Sequence, residues 1–221
     1  MASRSPATVP APPRSARPPL SPADWIADAL ALLADQGIDA VRVDVLARRL
    51  GVTRGSFYWH FADRDALLRG LLETWRQQAT EQVIARFDGS RAEPQALLRE
   101  LISLPFRGAP ARRAACIELA IRGWARRHPM ARQAVDEVDE RRIGYHAQVF
   151  SALGFPIGEA RARAHVLYAY EVAESVLAVQ GSAAQQAQRR ALVEALIQQP
   201  LAPPGEALRS AAARPAPAPR R

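Results

Sequence analysis

The chain has 221 residues, 48% of them hydrophobic, and is long enough to bury one sizeable core or a core with a small appended module. Its formal charge of +8 comes entirely from arginine, but the first 22 and last 22 residues contribute seven arginines against one acid. Only +2 remains for the rest, so net charge gives no argument for nucleic-acid binding. No uncharged apolar run is long enough to span a membrane.

The two ends of the chain differ from the middle in composition. Thirteen of the 18 prolines lie in the first 22 and last 22 residues, and residues 1–20 and 200–221 are predicted to be disordered. Arginines of the N-terminal arm could enter a DNA minor groove, although a solvated tail is the simpler interpretation. This arm has no hydrophobic segment of a secretory signal, and Cys116 is the single cysteine. We therefore expect a cytoplasmic protein.

Residues 21–76 begin and end with strong helix signals. Ser21 is placed to cap a first helix that carries proline and aspartate in its first turn and ends at Gly37. Asp63 is placed to cap a long fourth helix. The residues predicted to be buried on the helices of this unit are Ile26, Leu30, Leu33, Leu46, Leu50, Leu67, Leu68, Leu71, Leu72 and Trp75.

Between these helices the sequence predicts a helix-turn-helix. A short second helix is predicted at about 43–50 and a third at about 54–60, which Thr53 can cap. Gly51 suits the turn between them because glycine adopts positive φ without strain.

The segment GVTRGSFYWHF, residues 51–61, has more rings than one buried face can use. Phe57 and Phe61 are four residues apart and share one side of the third helix, where Val52 completes an apolar patch. This side is predicted to pack on the first two helices.

The other side of the third helix has no explanation in a core. Arg54 and Tyr58 are four residues apart, with Gly55 and Trp59 beside them. An arginine can donate two hydrogen bonds to guanine, and Tyr58 and His60 can donate to phosphates. Gly55 would allow close approach to a groove, and Trp59 could pack on sugar or a thymine methyl. The main alternative to a DNA contact for His60 is a place in the core with its hydrogen bonds satisfied.

Charge supports this interpretation locally. Residues 21–76 carry a net charge of −1, whereas residues 42–64 carry +3, with five arginines and two acids. Positive charge is therefore concentrated around the predicted turn. Asp44 lies near the entry to the second helix and would repel phosphate.

The run VRVDVLARRLGVTRGSFYWHFADRDALLRGLLETW resembles the DNA-binding domain of TetR/AcrR-type transcriptional regulators, over about 21–76. The resemblance implies an all-helical homodimer, usually a repressor of a double-stranded DNA operator. It also implies a C-terminal domain that binds a small molecule and dimerises through its last two helices. The predicted DNA-contacting residues are Arg42, Thr53, Arg54, Gly55, Ser56, Tyr58, Trp59, His60 and Arg64.

The rest of the chain, residues 77–199, is predicted to be a helical ligand-binding and dimerisation domain. With the four helices above, the fold class is all-α with about nine helices. The five further helices are predicted near 94–104, 112–127, 130–153, 157–180 and 183–198. Residues 157–198 are rich in alanine and could form a four-helix seam with a second copy.

The C-terminal helices contain residues that a ligand pocket would use. The predicted set is Trp124, Tyr145, His165, Tyr168 and Glu171, with His146, Phe150, Tyr170 and Glu174 as further candidates. A carboxylate among aromatic rings would suit a cationic or hydrogen-bonding ligand. Core packing or dimer contacts are the alternative for each residue. The run Arg161–Arg163 is expected to be a solvated helix face.

No enzyme, cofactor or metal site is expected. The histidines and the single cysteine do not have the spacing of metal ligands, and no glycine-rich loop could bind phosphate. Two alternatives remain open beside a ligand-released repressor. One is an architectural DNA-binding factor of the same fold without a ligand, and the other is an activator.

Overall fold

The computed structural model describes residues 20–177 and 181–200, and every regular element within them is helical. The disordered tails predicted for 1–20 and 200–221, and the end of the helix predicted at 157–180, lie largely outside these residues. The α-helices are α1 (Pro22–Gln36), α2 (Val43–Leu50), α3 (Arg54–Tyr58), α4 (Arg64–Arg76), α5 (Gln82–Ser90), α6 (Pro94–Ser103), α7 (Gly108–Ala125), α8 (Pro129–Ala152), α9 (Ile157–Leu177) and α10 (Ala183–Gln198).

Helices α4 and α5 form one continuous helical run through a π-helical segment, Gln77–Glu81. Counted this way, the described residues contain the nine helices that the sequence predicts, and the all-α prediction is confirmed. Two predicted boundaries are wrong. The third helix ends at Tyr58 instead of residue 60, and α7 begins at Gly108, four residues before the predicted start.

The N-terminal helices begin where their capping residues lie. Ser21 and Asp24 form a reciprocal capping box on α1, and the Asp63 Oδ1 atom accepts a hydrogen bond of 2.7 Å from the backbone N–H of Ala66. Gly37 ends α1 at a φ of 82°. Because this conformation strains a residue with a Cβ atom, glycine suits the position.

The first hydrophobic core extends beyond the N-terminal unit. Trp25, which the sequence pattern did not single out, is fully buried beside Leu33 of α1, whereas Ile26 and Leu50 are only half-buried. Residues of α7 and α8 complete this core, namely Ile121, Trp124, Ala125, Ala131, Val135 and Val138. The helix-turn-helix unit therefore rests on the ends of α7 and α8.

A second core joins α5, α6, α8, α9 and α10. Here the expectation that the run Arg161–Arg163 is solvated fails for Arg163. This side chain is buried, lies over the Phe155 ring at 4.1 Å, and donates to Glu159 and to the backbone carbonyls of Ile197 and Gln199. Its contacts attach the end of α10 to α9. No helix within residues 20–177 or 181–200 is long and apolar enough to cross a membrane.

Candidate DNA interface and ligand cavity

The turn between α2 and α3 has the geometry that its glycine predicts. Gly51 ends α2 in the left-handed region, at φ 71° and ψ 33°. Thr53 occupies the N-cap position of α3, but its hydroxyl makes no capping hydrogen bond, contrary to the expected role. Its backbone carbonyl instead accepts a hydrogen bond of 3.1 Å from the Ser56 N–H. The Thr53 hydroxyl therefore does not stabilise the start of α3.

One side of α3 fixes the helix to the core. Phe57 is fully buried, with its ring centroid 5.4 Å from that of Trp25 in an edge-on contact and 5.3 Å from that of Phe61 in a stacked contact. Val52 is half-buried against the same core. Because aromatic pairs in these geometries add to the stability gained by burial, they hold α3 at a defined angle.

The opposite side of α3 faces outward. Tyr58 is 55% exposed and Trp59 87% exposed, and Arg54 and Gly55 are also exposed. A Cβ atom built on Gly55 would meet only the Thr53 hydroxyl, at 3.7 Å, so packing within the protein does not require glycine there. His60 is half-buried in the turn after α3. Large exposed rings beside an arginine are costly unless another molecule uses them.

The arginines around the turn fall into two groups. Arg49 forms a bidentate pair with Asp28, with its closest N–O distance 2.8 Å, and Arg42 pairs with Asp44 at 3.2 Å. Arg64 turns inward and donates to the backbone carbonyls of Val41, at 2.6 Å, and Ile38, at 3.0 Å. Sequence counting missed these pairings because the partners of Arg49 and Arg64 are more than 20 residues away.

Two arginines near the turn remain available to contact another molecule. Arg48, in the last turn of α2, and Arg54, at the start of α3, are exposed, and neither forms an ion pair with an acid among the described residues. Their guanidinium groups, with Tyr58 and Trp59, give the surface a chemistry suited to phosphates and base edges. Arg48 was counted in the sequence analysis only as local charge.

The C-terminal helices line a partly open cavity of about 320 Å³. Its wall is mostly apolar and comes from the π-helical segment, α5, α7, α8 and α9, with the α6–α7 connection at one end. Of the predicted ligand residues, Tyr145, Tyr168 and Glu171 line the cavity, together with His146. The cavity lies at the lower end of the size range of sites for small molecules.

Two predicted ligand residues do not line this cavity. Trp124 is buried in the first core, where its ring lies 5.4 Å from that of His128 beneath the helix-turn-helix unit. His165 is exposed on the outer side of α9. Residue type and helical spacing could not tell which side of α9 faces inward. The further candidates Phe150 and Tyr170 belong to or border the second core, and Glu174 pairs with Arg189 at 2.8 Å.

A polar network borders the cavity through Glu118, Arg142 and Tyr168 and continues to Arg122 and Asp139. The Arg142 guanidinium donates to both oxygens of Glu118, each at 2.9 Å, and Arg122 donates to Glu118 and to Asp139, the latter at 2.6 Å. Tyr168 accepts a hydrogen bond from Arg122 at 2.6 Å and donates one to Asp139 at 2.5 Å. Two arginines and two acids therefore balance each other around one tyrosine hydroxyl.

The pKa values of this network reflect its pairing. Burial by itself lowers the pKa of Arg142, but Glu118 and Tyr168 together more than offset this and the net pKa is raised. Burial would likewise raise the pKa of Asp139, but hydrogen bonds from Arg122 and Tyr168 lower it below its ordinary value. The pairing thus stabilises the charged forms of Arg142 and Asp139.

Glu171 and His146 differ from the network because they are buried without full pairing. Glu171 is 8% exposed, and its Oε1 atom has no hydrogen-bond partner but lies 3.6 Å from the His146 Nε2 atom. Burial raises the pKa of the Glu171 carboxyl well above its usual range. Burial and the nearby Arg142 lower the pKa of His146 to about 3, so this imidazole is neutral.

Glu118 and Arg142 were not predicted as cavity residues. Glu118 lies in a mostly apolar part of α7, and Arg142 lies in a charged stretch of α8. A carboxylate and an arginine on different helices, 24 positions apart, become a pair only once these helices are packed together. No signal in a single sequence identifies such a pair.

The outer sides of α9 and α10 expose large apolar side chains. On α9 these are Ile157, Val166, Val176 and Leu177, and on α10 they are Leu192 and Leu196. Single exposed apolar residues are ordinary, but two neighbouring helices with several each are typical of an interface.

Residues 26–71 match the family model of bacterial regulatory proteins of the tetR family. Over 77 residues, the chain is 34% identical to the HTH-type transcriptional regulator AcrR of Shigella flexneri, a match that covers 34% of each protein. The alignment thus spans about a third of that relative's length.

Solved structures resemble a larger part of the chain. A transcriptional regulator from Saccharomonospora viridis in complex with choline has a TM-score of 0.67 at 19% identity, covering 80% of this chain and 95% of that one. The transcriptional regulator FadR from Bacillus subtilis in complex with stearoyl-CoA has a TM-score of 0.59 at 17% identity, covering 79% and 96%. At these identities the likeness concerns the fold.

Proposed function

Because the chain belongs to the TetR family of bacterial transcriptional regulators, we propose that it represses transcription from a pseudo-palindromic operator in the cytoplasm. A small molecule bound in the C-terminal cavity would release it from that operator. In this proposal residues 21–76 bind DNA and residues 77–199 bind the ligand and a second copy of the chain.

The observation that carries the DNA-binding part is the outward side of α3. Arg54, Tyr58 and Trp59 are exposed there together, while Phe57 on the other side holds the helix in the core. Arg54 is proposed to read a base and Tyr58 to contact a phosphate. Arg42 and Arg64 are proposed to approach the DNA backbone, which requires each to leave or share its present partner.

We expect Arg54→Ala and Tyr58→Phe to affect DNA binding in different ways. Loss of the two hydrogen bonds from the Arg54 guanidinium should cost about 1–3 kcal/mol of binding free energy on the specific site. It should also relax the preference at one base pair. Loss of the Tyr58 hydroxyl should weaken binding to all sequences about equally. Fluorescence anisotropy on the specific site and on single-base variants separates the two patterns. An equal loss on every sequence for Arg54→Ala would refute its role in base reading.

The dimer is proposed to form through α9 and α10. The exposed apolar residues of these helices, among them Val166 and Leu192, would be covered by the same helices of the second copy. Two α3 helices would then face successive major grooves about one helical turn apart. Analytical ultracentrifugation should give twice the chain mass of 24.2 kDa. A monomer at micromolar concentration would contradict this part of the proposal.

Two structural connections support release by a ligand. Helix α7 places Glu118 at the cavity and Trp124 in the core beneath the helix-turn-helix unit. The π-helical segment Gln77–Glu81 lines the cavity and continues directly into α4, and Arg142 donates to its Ala79 carbonyl at 3.1 Å. A ligand that shifts either element would move the DNA-binding unit. To change the ratio of two conformers from 1:99 to 99:1, a ligand must bind the favoured conformer about 5.5 kcal/mol more tightly than the other.

The cavity is also the observation that favours this function over an architectural DNA-binding factor. A protein that only binds DNA has no need for a cavity of about 320 Å³ or for a buried carboxylate oxygen without a hydrogen-bond partner at its wall. Both features reduce stability, and a ligand would compensate for them.

A further inference from the structure

The most unusual group in the cavity is the carboxyl of Glu171. It is more than nine-tenths buried, it lines the cavity, and its Oε1 atom has no hydrogen-bond partner. The neutral His146 ring lies beside it, with its Nε2 atom at 3.6 Å and its Nδ1 atom also unpaired. An unpaired buried acceptor is destabilising, so this carboxyl is poised for a group that the protein itself does not supply.

The partly buried charges of the polar network beside the cavity are already balanced. The Arg142 Nε, Nη1 and Nη2 atoms donate to Thr80, Glu118 and Ala79, respectively, so every nitrogen of this guanidinium already donates to the protein. Glu118 is shared with Arg122, which also binds Asp139. The two arginines and two acids of this network therefore sum to zero net charge. Glu171, in contrast, is buried with one carboxylate oxygen that has no hydrogen-bond partner, so it can present an unpaired charge.

We propose that the cavity binds a small organic cation whose positively charged nitrogen lies against the Glu171 carboxylate, among the rings of Tyr145, His146 and Tyr168. This inference rests on the proposed function, because it names the chemical class of the ligand that releases the DNA. The similar structures hold a cation in one case and the anionic stearoyl-CoA in another, so the choice depends on this chain's own residues.

The rest of the lining fits such a ligand. Phe87 and Tyr145 stand with their ring centroids 6.3 Å apart and nearly parallel, and they provide aromatic surface next to Ile84 and Leu101. Aromatic faces attract organic cations, most strongly away from water. Arg86 and Arg107 also border the cavity, but both are exposed to solvent, and Arg107 is paired with Glu100.

The test compares three probes of similar shape on the full chain. Benzyltrimethylammonium carries a charge that does not change with pH, neopentylbenzene is its uncharged carbon isostere, and phenylacetate is an anion. Binding is measured by calorimetric titration and by the rise in unfolding temperature. We expect the cation to bind at least about tenfold more tightly than its isostere. A preference for the isostere or for phenylacetate would overturn the proposal.

Glu171→Gln is the decisive variant because it keeps the shape of the side chain and removes its charge. It should abolish the preference for the cation and leave isostere binding unchanged. Glu174→Gln is the matched control, since Glu174 is a buried acid on the same helix that lines no part of the cavity and pairs with Arg189. It should keep the preference. An unchanged preference in Glu171→Gln would contradict the assignment.

Affinity for the cation should also rise with pH. In the empty cavity burial raises the pKa of Glu171, so the carboxyl is protonated well above the usual range, and binding a cation must release that proton. Arg142 and His146 from α8 and Glu118 from α7 face the carboxyl. His146 is neutral throughout this range because its pKa is about 3, and Arg142 and Glu118 remain paired. A pH-independent affinity would count against Glu171 as the binding group.

The DNA assay separates this inference from the proposed function. If the cation binds through Glu171 and releases operator DNA, both are supported. If it binds through Glu171 and DNA stays bound, the cation site stands and release by ligand fails. If uncharged or anionic molecules release DNA and the cation does not bind, the regulator stands and the cation site is wrong.

Discussion

Phe57→Ala is expected to destabilise the DNA-binding unit by about 3–5 kcal/mol, the usual cost of truncating a buried phenylalanine. Phe57 is fully buried and contacts the rings of Trp25 and Phe61, so its removal leaves a cavity at the point where α3 meets α1. Urea unfolding followed by tryptophan fluorescence measures the loss. DNA binding should fall with it because α3 is no longer held at a fixed angle.

Trp59→Ala provides the contrast, two residues away on the same short segment. Trp59 is 87% exposed, so its loss should change the free energy of unfolding by no more than about 0.5 kcal/mol. DNA affinity should nevertheless fall. If both variants lost similar stability, the division of α3 into a buried and a DNA-facing side would be wrong. If Trp59→Ala bound DNA normally, Trp59 would have no part in the interface.

Arg142→Met should cost about 3 kcal/mol, the lower end of the range for removing one partner of a buried ion pair, because the Arg142–Glu118 pair is only partly buried. Glu118 would keep Arg122, which limits the loss, but the hydrogen bonds to Thr80 and Ala79 would disappear. The amide hydrogens of the π-helical segment should therefore exchange faster. Urea unfolding and hydrogen exchange measure the two effects.

Arg141→Met is the matched control, because Arg141 is the preceding residue and undergoes the same change. It is exposed and pairs with Glu81 at 3.5 Å, and exposed pairs contribute about 0–1 kcal/mol. Similar losses in the two variants would mean that the Arg142 network does not stabilise the junction between α4 and α5.

The fold and the exposed side of α3 were predictable because their signals are local. Capping at Ser21 and Asp63, the turn at Gly51 and the two sides of α3 each depend on residues a few positions apart. The burial of Leu67, Leu68, Leu71, Leu72 and Trp75 follows the helical period in the same way. Local periodicity decides which side of a helix is apolar, and the core then covers that side.

The cavity was predictable only in part because its residues meet through packing between distant segments. Tyr145, Tyr168 and Glu171 were identified by residue type, but so were Trp124 and His165, which lie elsewhere. Helices α8 and α9 have apolar residues around much of their circumference. The helical period of apolar residues therefore does not predict which side of α8 or α9 faces the helix-turn-helix unit, the cavity or solvent. The pairing of Glu118 with Arg142 depends on that choice.

Selection of DNA from a random-sequence library, followed by fluorescence anisotropy at several salt concentrations, tests the central claim most directly. The account predicts an enriched pseudo-palindrome with half-sites about 34–36 Å apart, bound about a thousandfold more tightly than scrambled DNA. Affinity should fall steeply with salt. A selected pool bound no more tightly than scrambled DNA would contradict sequence-specific regulation by this protein.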